Sequence, residues 1–411
     1  MIPAGRDPAL PSKISAAERK CKMRQKHWTL VDTEYGVFQE TFDVSDLLGN
    51  PAFDGKEFPA RVSKRRLRGG LSDGVDIIEI DNGRLSLTVL PTRGMGIWRG
   101  RCDDVELKWD SPVPGPVNPS LVPLNDPGGL GWLEGFDEWF VRCGLENNGS
   151  PEFDDNGRLR YPLHGRIANL PAQHVTLSCN CQTGEITLAG KVIESKLFFK
   201  KLELHTSLTT YAGSSEFVIR DTITNLSAEP GEFELLYHIN TGQPFASPGG
   251  RIVVPFEAMA PRTEAAVQNL SNWNTLCPET PGSEEVVFFF EPAYCPGGYC
   301  KTMLVNARGD RGMTISFHKN SFPYFSFWKS RLSNADGYVC GMEPSVNLPN
   351  NRSFEKKHGR VVPLGPGMSR SFELHFEILH NIESVKNAEK EIDAISGARI
   401  VEPKPRKEWT P

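Results

Sequence analysis

Three side chains in this 411-residue chain stand where acid–base chemistry could be done: His164, His238 and Glu343. His164 lies in YPLHGRIA beside a glycine, which lets another backbone segment or a ligand come close. His238 ends the apolar run EFELLYHI just before the turn-forming NTGQP, and Glu343 sits in GYVCGMEPSVNLPNN directly ahead of a proline. Imidazoles and a carboxylate aimed into one cleft are the least equipment that general acid–base catalysis needs. Their separations of 74 and 105 residues leave it to the fold to bring them together. Each also has a plain structural reading: a histidine satisfied at a strand end, a carboxylate capping a turn. Two histidines and a carboxylate can also form a facial metal triad, so metal chemistry is a competing reading.

Further residues could serve the same cleft. Trp328 ends YFSFW, and an aromatic face at a strand end can stack on the C–H surface of a ligand or simply fill a core. Arg142, in FVRCGLENNG, and Arg166, two residues after His164, are candidate substrate contacts. The run RVSKRRLRGG (61–70) holds five basic residues and reads as a solvated surface in a chain of net charge −5.

The elements that must position these groups are mostly strands. VDIIEI (75–80), RLSLTVL (84–90), EITLAGKVI (185–193), KLELHTSLTT (201–210), EFVIRDTIT (216–224) and EFELLYHI (232–239) are short, β-branched or aromatic-rich and bounded by turn formers. RIVVPF (251–256), EVVFFF (285–290), MTISFH (313–318), YFSFW (324–328) and SFELHFEIL (371–379) continue the series. With 38 glycines and 32 prolines, about 17% of the chain, this punctuation suits many short strands. Strands without intervening helices argue against a doubly wound nucleotide fold. Helical spacing is confined to the ends, at Ser15–Lys26 and from Ile382 to Ile395. The expected organisation is a helical arm over 1–26, one large antiparallel β-sandwich over 27–380, and a helix with a tail over 381–411. Two Pro-, Gly- and Asn-rich segments, 110–162 and 257–301, are long enough to border a binding cleft.

Composition narrows the function classes. A mildly acidic balance does not favour a nucleic-acid coat, and a small ligand fits it better. No apolar run reaches the length of a membrane span, and the N-terminus lacks a secretory pattern, so a cytoplasmic protein is expected. The nine cysteines lack paired metal-site spacing and read as reduced, mostly buried thiols.

The segments LTVLPTRGMGIW, GWLEGFDEWFVRCGLENNG, LHGRIANLPA, LLYHINTGQPF and GMEPSVNLPN follow one another across residues 67–380. In that order they resemble the aldose 1-epimerase-like family of unassigned bacterial proteins, within the galactose-mutarotase-like superfamily. The resemblance implies an all-β galactose-mutarotase-like β-supersandwich with a sugar cleft on the larger sheet, and no cofactor or metal. It implies that His164 and His238 flank the ring oxygen and that Glu343 faces the anomeric hydroxyl, with Arg93 of PTRGMG supporting the sugar or the glutamate. Opening a hemiacetal would then use Glu343 as base on O1 and His238, protonated, as acid on the ring oxygen. The pH dependence would be bell-shaped, with the neighbouring carboxylate lifting the imidazole. Two departures are visible: the family's Asn-His-Thr reads Tyr237-His238-Ile239, and its sugar-binding aspartate has no matched position. These keep a second function in view, a carbohydrate-binding protein without turnover.

Overall fold

Alternation in the sequence becomes two-faced strands. In Glu185–Ser195 and Lys201–Tyr211 nearly every second side chain is buried, as the two-residue period of a strand requires. The computed structural model describes residues 25–45, 47, 52–53, 56–57 and 59–411. These strands pair at the centre of a ten-stranded sheet, which packs against a second sheet of fourteen strands. The result is the all-β sandwich expected from the strand pattern, in the supersandwich form that the family resemblance implies.

Five neighbouring strands of the larger sheet carry the site: β1 (Phe140–Leu145), β2 (Gly231–Gly242), β3 (Val286–Pro292), β4 (Tyr324–Ser330) and β5 (Val339–Ser345). They lie side by side in the order β3-β4-β5-β2-β1, all antiparallel. Tyr237 and Ile239 of β2, Phe325 and Phe327 of β4, and Met342 of β5 face the core between the sheets. There they meet Leu188, Leu204, Ile219 and Phe376 of the opposing sheet. Burying a side chain of this size is worth about 1.5–3 kcal/mol. The intervening residues of β2, β4 and β5, His238, Trp328 and Glu343 among them, therefore point away from that core.

Several elements differ from the sequence reading. The expected N-terminal helix over Ser15–Lys26 lies outside the described residues as far as Arg24. Its last two residues, Gln25 and Lys26, begin a strand, Gln25–Asp32, that pairs with His174–Asn180. The basic run is not simply a solvated surface: Arg61–Arg66 is a strand between Phe42–Ser45 and Asp76–Asp81. Its Lys64 is buried, donating to the Gln39 carbonyl at 2.7 Å and lying 3.5 Å from Asp76.

The C-terminal helix runs Ile382–Asp393, opened by a capping box of Asn381 and Ser384, and buries Val385, Ala388 and Ile392 against Met303 and Val305. Beyond it, Ile400–Val401 adds a parallel edge strand to Phe256–Pro261, and Trp409 is buried with Ala258, Phe289 and Leu348. All eight described cysteines are free thiols, five of them buried. No helix among the described residues is long and apolar enough to cross a membrane.

Candidate active site

Strand register does what sequence spacing could not. Leu236 pairs with Ser345 and Ile239 with Met342, so His238 of β2 stands across from Glu343 of β5. His238 Nε2 lies 3.2 Å from Glu343 Oε1, and both side chains are almost wholly buried. Room for the pair comes from Gly341 on β5: a Cβ there would sit 2.6 Å from Glu343 Oε1 and 3.1 Å from His238 Cε1.

The protons of this pair follow from its neighbours. Asn240, two residues along β2, donates through Nδ2 to the carbonyls of Glu138 at 2.9 Å and His238 at 3.2 Å. Its Oδ1 is thereby turned to His238 Nδ1, which must donate the N–H. Nε2 is left as the acceptor facing Glu343. Burial pushes His238 down to about 3, with His164 adding to the fall and Asn240 opposing it. Burial pushes Glu343 well above the ordinary carboxylate value; the Glu285 charge adds to the rise and Arg262 opposes it. The expectation that the carboxylate would lift the imidazole is therefore corrected, whereas the rise of Glu343 on burial follows the expected direction. Loss of hydration outweighs their attraction, so burial favours the neutral imidazole and the neutral carboxylic acid. Beyond its contact with His238 Nε2, buried Glu343 Oε1 has no hydrogen-bond partner.

His164 arrives from a different part of the chain. It adopts a left-handed φ of 56° and Gly165 follows at 71°. A Cβ at Gly165 would lie 2.2 Å from the Asn147 carbonyl, so this turn requires glycine. His164 Nδ1 is 2.8 Å from the Asn148 carbonyl, which only accepts; Nδ1 carries the proton and Nε2 is an acceptor. Burial pushes His164 down to about 4, against the lift from that carbonyl. Its ring meets Trp132 edge-on at 4.6 Å and the His238 ring at 5.6 Å.

His164, His238, Glu343 and Trp328 line one cavity of about 300 Å³, at the small end for a ligand site. Trp132, Phe136 and Trp328 form its aromatic wall. Arg262 and Glu285, which the sequence reading did not single out, supply charge. Arg262 Nη1 is 3.6 Å from Glu285 Oε1, its Nη2 donates to Ser150 Oγ at 3.3 Å, and Trp328 Nε1 donates to Glu285 at 2.8 Å. Both charged residues come from the 257–301 segment and Trp132 and Phe136 from 110–162, the two stretches whose length had marked them as cleft borders.

The three arginines expected as substrate contacts do not line this cavity. Arg93 is buried and pairs with Glu138 at 2.6 Å, donating also to Val117, Asn169 and Gly135. It does not support Glu343 directly; its partner Glu138 supplies the carbonyl that orients Asn240. Arg142 lies on β1, not in a loop, and points between the sheets to Asp221, Thr206 and the carbonyls of Gly94 and Met95. Arg166 is half-buried at the turn, where its backbone N–H donates to Gly144. Among the described residues no group of His, Cys, Asp or Glu side chains is arranged to hold a metal ion.

Comparison with known proteins places the fold. A Klebsiella pneumoniae protein provisionally named an aldose 1-epimerase is 32% identical, with a TM-score of 0.87 over 93% of this chain and 100% of its own. A galactose mutarotase-like protein from Clostridium acetobutylicum shares the fold at 12% identity and a TM-score of 0.51, over 78% of this chain and 98% of its own. No curated protein matches the sequence. A family profile described as a domain of unknown function, DUF4432, matches residues 72–378, and the chain belongs to that family.

Proposed function

We propose that this protein interconverts the anomers of an aldose, without a metal, by acid–base chemistry at His238 and Glu343. The observation that carries the reading is the buried contact of 3.2 Å between an imidazole acceptor nitrogen and a carboxyl group on the cavity wall. In a cyclic aldose O1 and the ring oxygen are bonded to the same carbon, so two catalytic groups in contact can serve both. His238 Nε2 takes the O1 proton while the Glu343 carboxyl delivers its proton to the ring oxygen; the C1–O bond of the ring breaks and a C1 carbonyl forms. After rotation about C1–C2 the ring hydroxyl returns its proton to Glu343, attacks C1 from the other face, and His238 returns its proton to O1. The pair ends as it began, with one proton shared between two groups. This reverses the direction expected from reference pKa values. Each positioned group is worth roughly 10²–10⁴-fold.

The other lining groups suit a sugar. Trp328 and Trp132 offer faces for C–H surfaces, and His164 Nε2, as an acceptor, takes a hydroxyl proton rather than polarising the ring oxygen. Arg262 and Glu285 offer a donor and an acceptor for further hydroxyls. NMR exchange spectroscopy on a panel of aldoses, with and without chelator, tests the reading. Exchange cross-peaks enhanced by the protein and indifferent to chelator are expected. Saturable binding without enhanced exchange would replace it by a carbohydrate-binding function, and loss of exchange with chelator would reinstate the metal triad.

A further inference from the structure

The cavity side of His164 is described above; what holds its other side is a loop, and behind that loop lie two carboxylates outside the cavity. Leu145 N–H donates to Glu194 Oε2 at 2.9 Å and Glu146 N–H to Glu194 Oε1 at 3.2 Å. Asn148 N–H donates to Glu234 Oε2 at 3.0 Å, and the Asn148 side chain donates to Asn347 Oδ1 at 2.8 Å. With its backbone N–H and side-chain amide both tied, Asn148 presents its carbonyl to His164 Nδ1. That carbonyl decides which imidazole nitrogen faces the cavity. Two residues further on, the same loop supplies Ser150 to Arg262.

We propose that Glu234 and Glu194 are positioning residues, which fix the tautomer of His164 through the backbone of the loop 145–150. The proposal rests on the reading of His164 as a ligand-facing group. Both glutamates are buried, at 0% and 2% exposure, an expensive place for a carboxylate. An ion-pair role accounts poorly for Glu234. Its nearest cation, Arg352, is 3.8 Å from Oε1, which has no hydrogen-bond partner, and Arg352 also binds Glu232 at 3.1 Å. What Glu234 does bind is the Asn148 N–H. Glu194 has Lys200 at 3.1 Å, yet both of its oxygens also accept loop N–H groups. An apolar side chain at either position would leave those buried donors without an acceptor, and the loop would have to move to satisfy them. Burial lifts Glu234 to about 8, so near neutral pH it acts chiefly as the neutral acid, and glutamine is its close mimic.

The test is ¹⁵N NMR of the histidine rings in the full chain, which reads tautomers without needing turnover. The wild-type protein should show His164 as a single Nδ1–H tautomer. Glu234→Leu should convert it to a mixture with the Nε2–H form and leave His238, held by Asn240, unchanged. Glu234→Gln should restore the wild-type pattern. If Glu234→Leu does not fold, Glu194→Leu provides the same readout. A folded Leu variant that keeps a pure Nδ1–H tautomer at His164 would overturn the proposal, as would equal disturbance of His164 and His238. Because no substrate is involved, these outcomes are separate from any failure of the epimerase reading.

Discussion

Replacing Glu343 by glutamine should make the protein more stable and nearly inactive, with a pH signature that identifies the cause. In the unfolded chain Glu343 has an ordinary value near 4.5, whereas burial holds it well above that in the folded protein. A group whose folded value is raised contributes stability that is fully present below the unfolded value and is lost as pH rises toward the folded one. Each pH unit climbed within that window removes about 1.4 kcal/mol, because the native state must keep a proton that the unfolded chain has released. Glutamine has no proton to keep. The gap in unfolding free energy between Glu343→Gln and the wild type should therefore widen steadily as pH rises above about 5. Taking the difference between the two proteins removes the titrations of Glu194 and Glu234, which both share.

Urea unfolding at several pH values measures that gap. Exchange spectroscopy on the same samples should show a rate lower by about 10²–10⁴-fold, or about 2.7–5.5 kcal/mol of transition-state stabilisation. Sugar affinity should stay within about tenfold, since the amide still bonds a hydroxyl. Parallel stability curves for the two proteins would mean that Glu343 is ionised in the native state, and the resting proton assigned to it would be wrong. A retained rate would move the acid elsewhere.

Three further outcomes are expected. Gly341→Ala should lower turnover about 10²-fold with an unchanged circular dichroism spectrum, because the new Cβ would lie 2.6 Å from Glu343 Oε1 and displace it. Arg142→Met should cost about 3–5 kcal/mol in urea unfolding, since it leaves Asp221 buried without its partner. The pH–rate profile should fall on the acid side toward about 3, where His238 gains a second proton, and on the alkaline side as Glu343, held well above the ordinary carboxylate value, loses its own; a maximum confined between the reference values of about 4.3 and about 6.5 would contradict the neutral pair.

The strands were legible because their chemistry is local. Alternation in KLELHTSLTT and the β-branched run EITLAGKVI mark one buried face each, and both stretches are strands. Register is not local. Nothing in EFELLYHI or GYVCGMEPS says that their strands are neighbours, still less that residue 238 faces residue 343. Strand β1 was missed for another reason: Phe140–Leu145 is buried on both faces, so it has no alternation, and the surrounding Pro, Gly and Asn made it read as loop. The same loss of pattern hid the direction of Arg142. Arg93 shows a different limit, since its motif fixes its place in the chain but not which of several carboxylates it meets.

The pKa direction expected for His238 failed for a reason of magnitude, and that failure bears on the chemistry. From sequence, a glutamate beside a histidine is expected to lift the imidazole, because how deeply the imidazole is buried is not legible in residue types. Inside the cavity each charge would have to shed its water, and several kcal/mol of desolvation per ion exceeds what one contact returns. In the proposed reaction a neutral pair, with Asn240 fixing the imidazole N–H, offers His238 Nε2 as acceptor and the Glu343 carboxyl as donor, which a hydroxyl and a ring oxygen on the same carbon engage in place of the pair's mutual contact. Burial thus costs the fold stability as pH rises and favours, in His238 and Glu343, the protonation states that the proposed exchange requires.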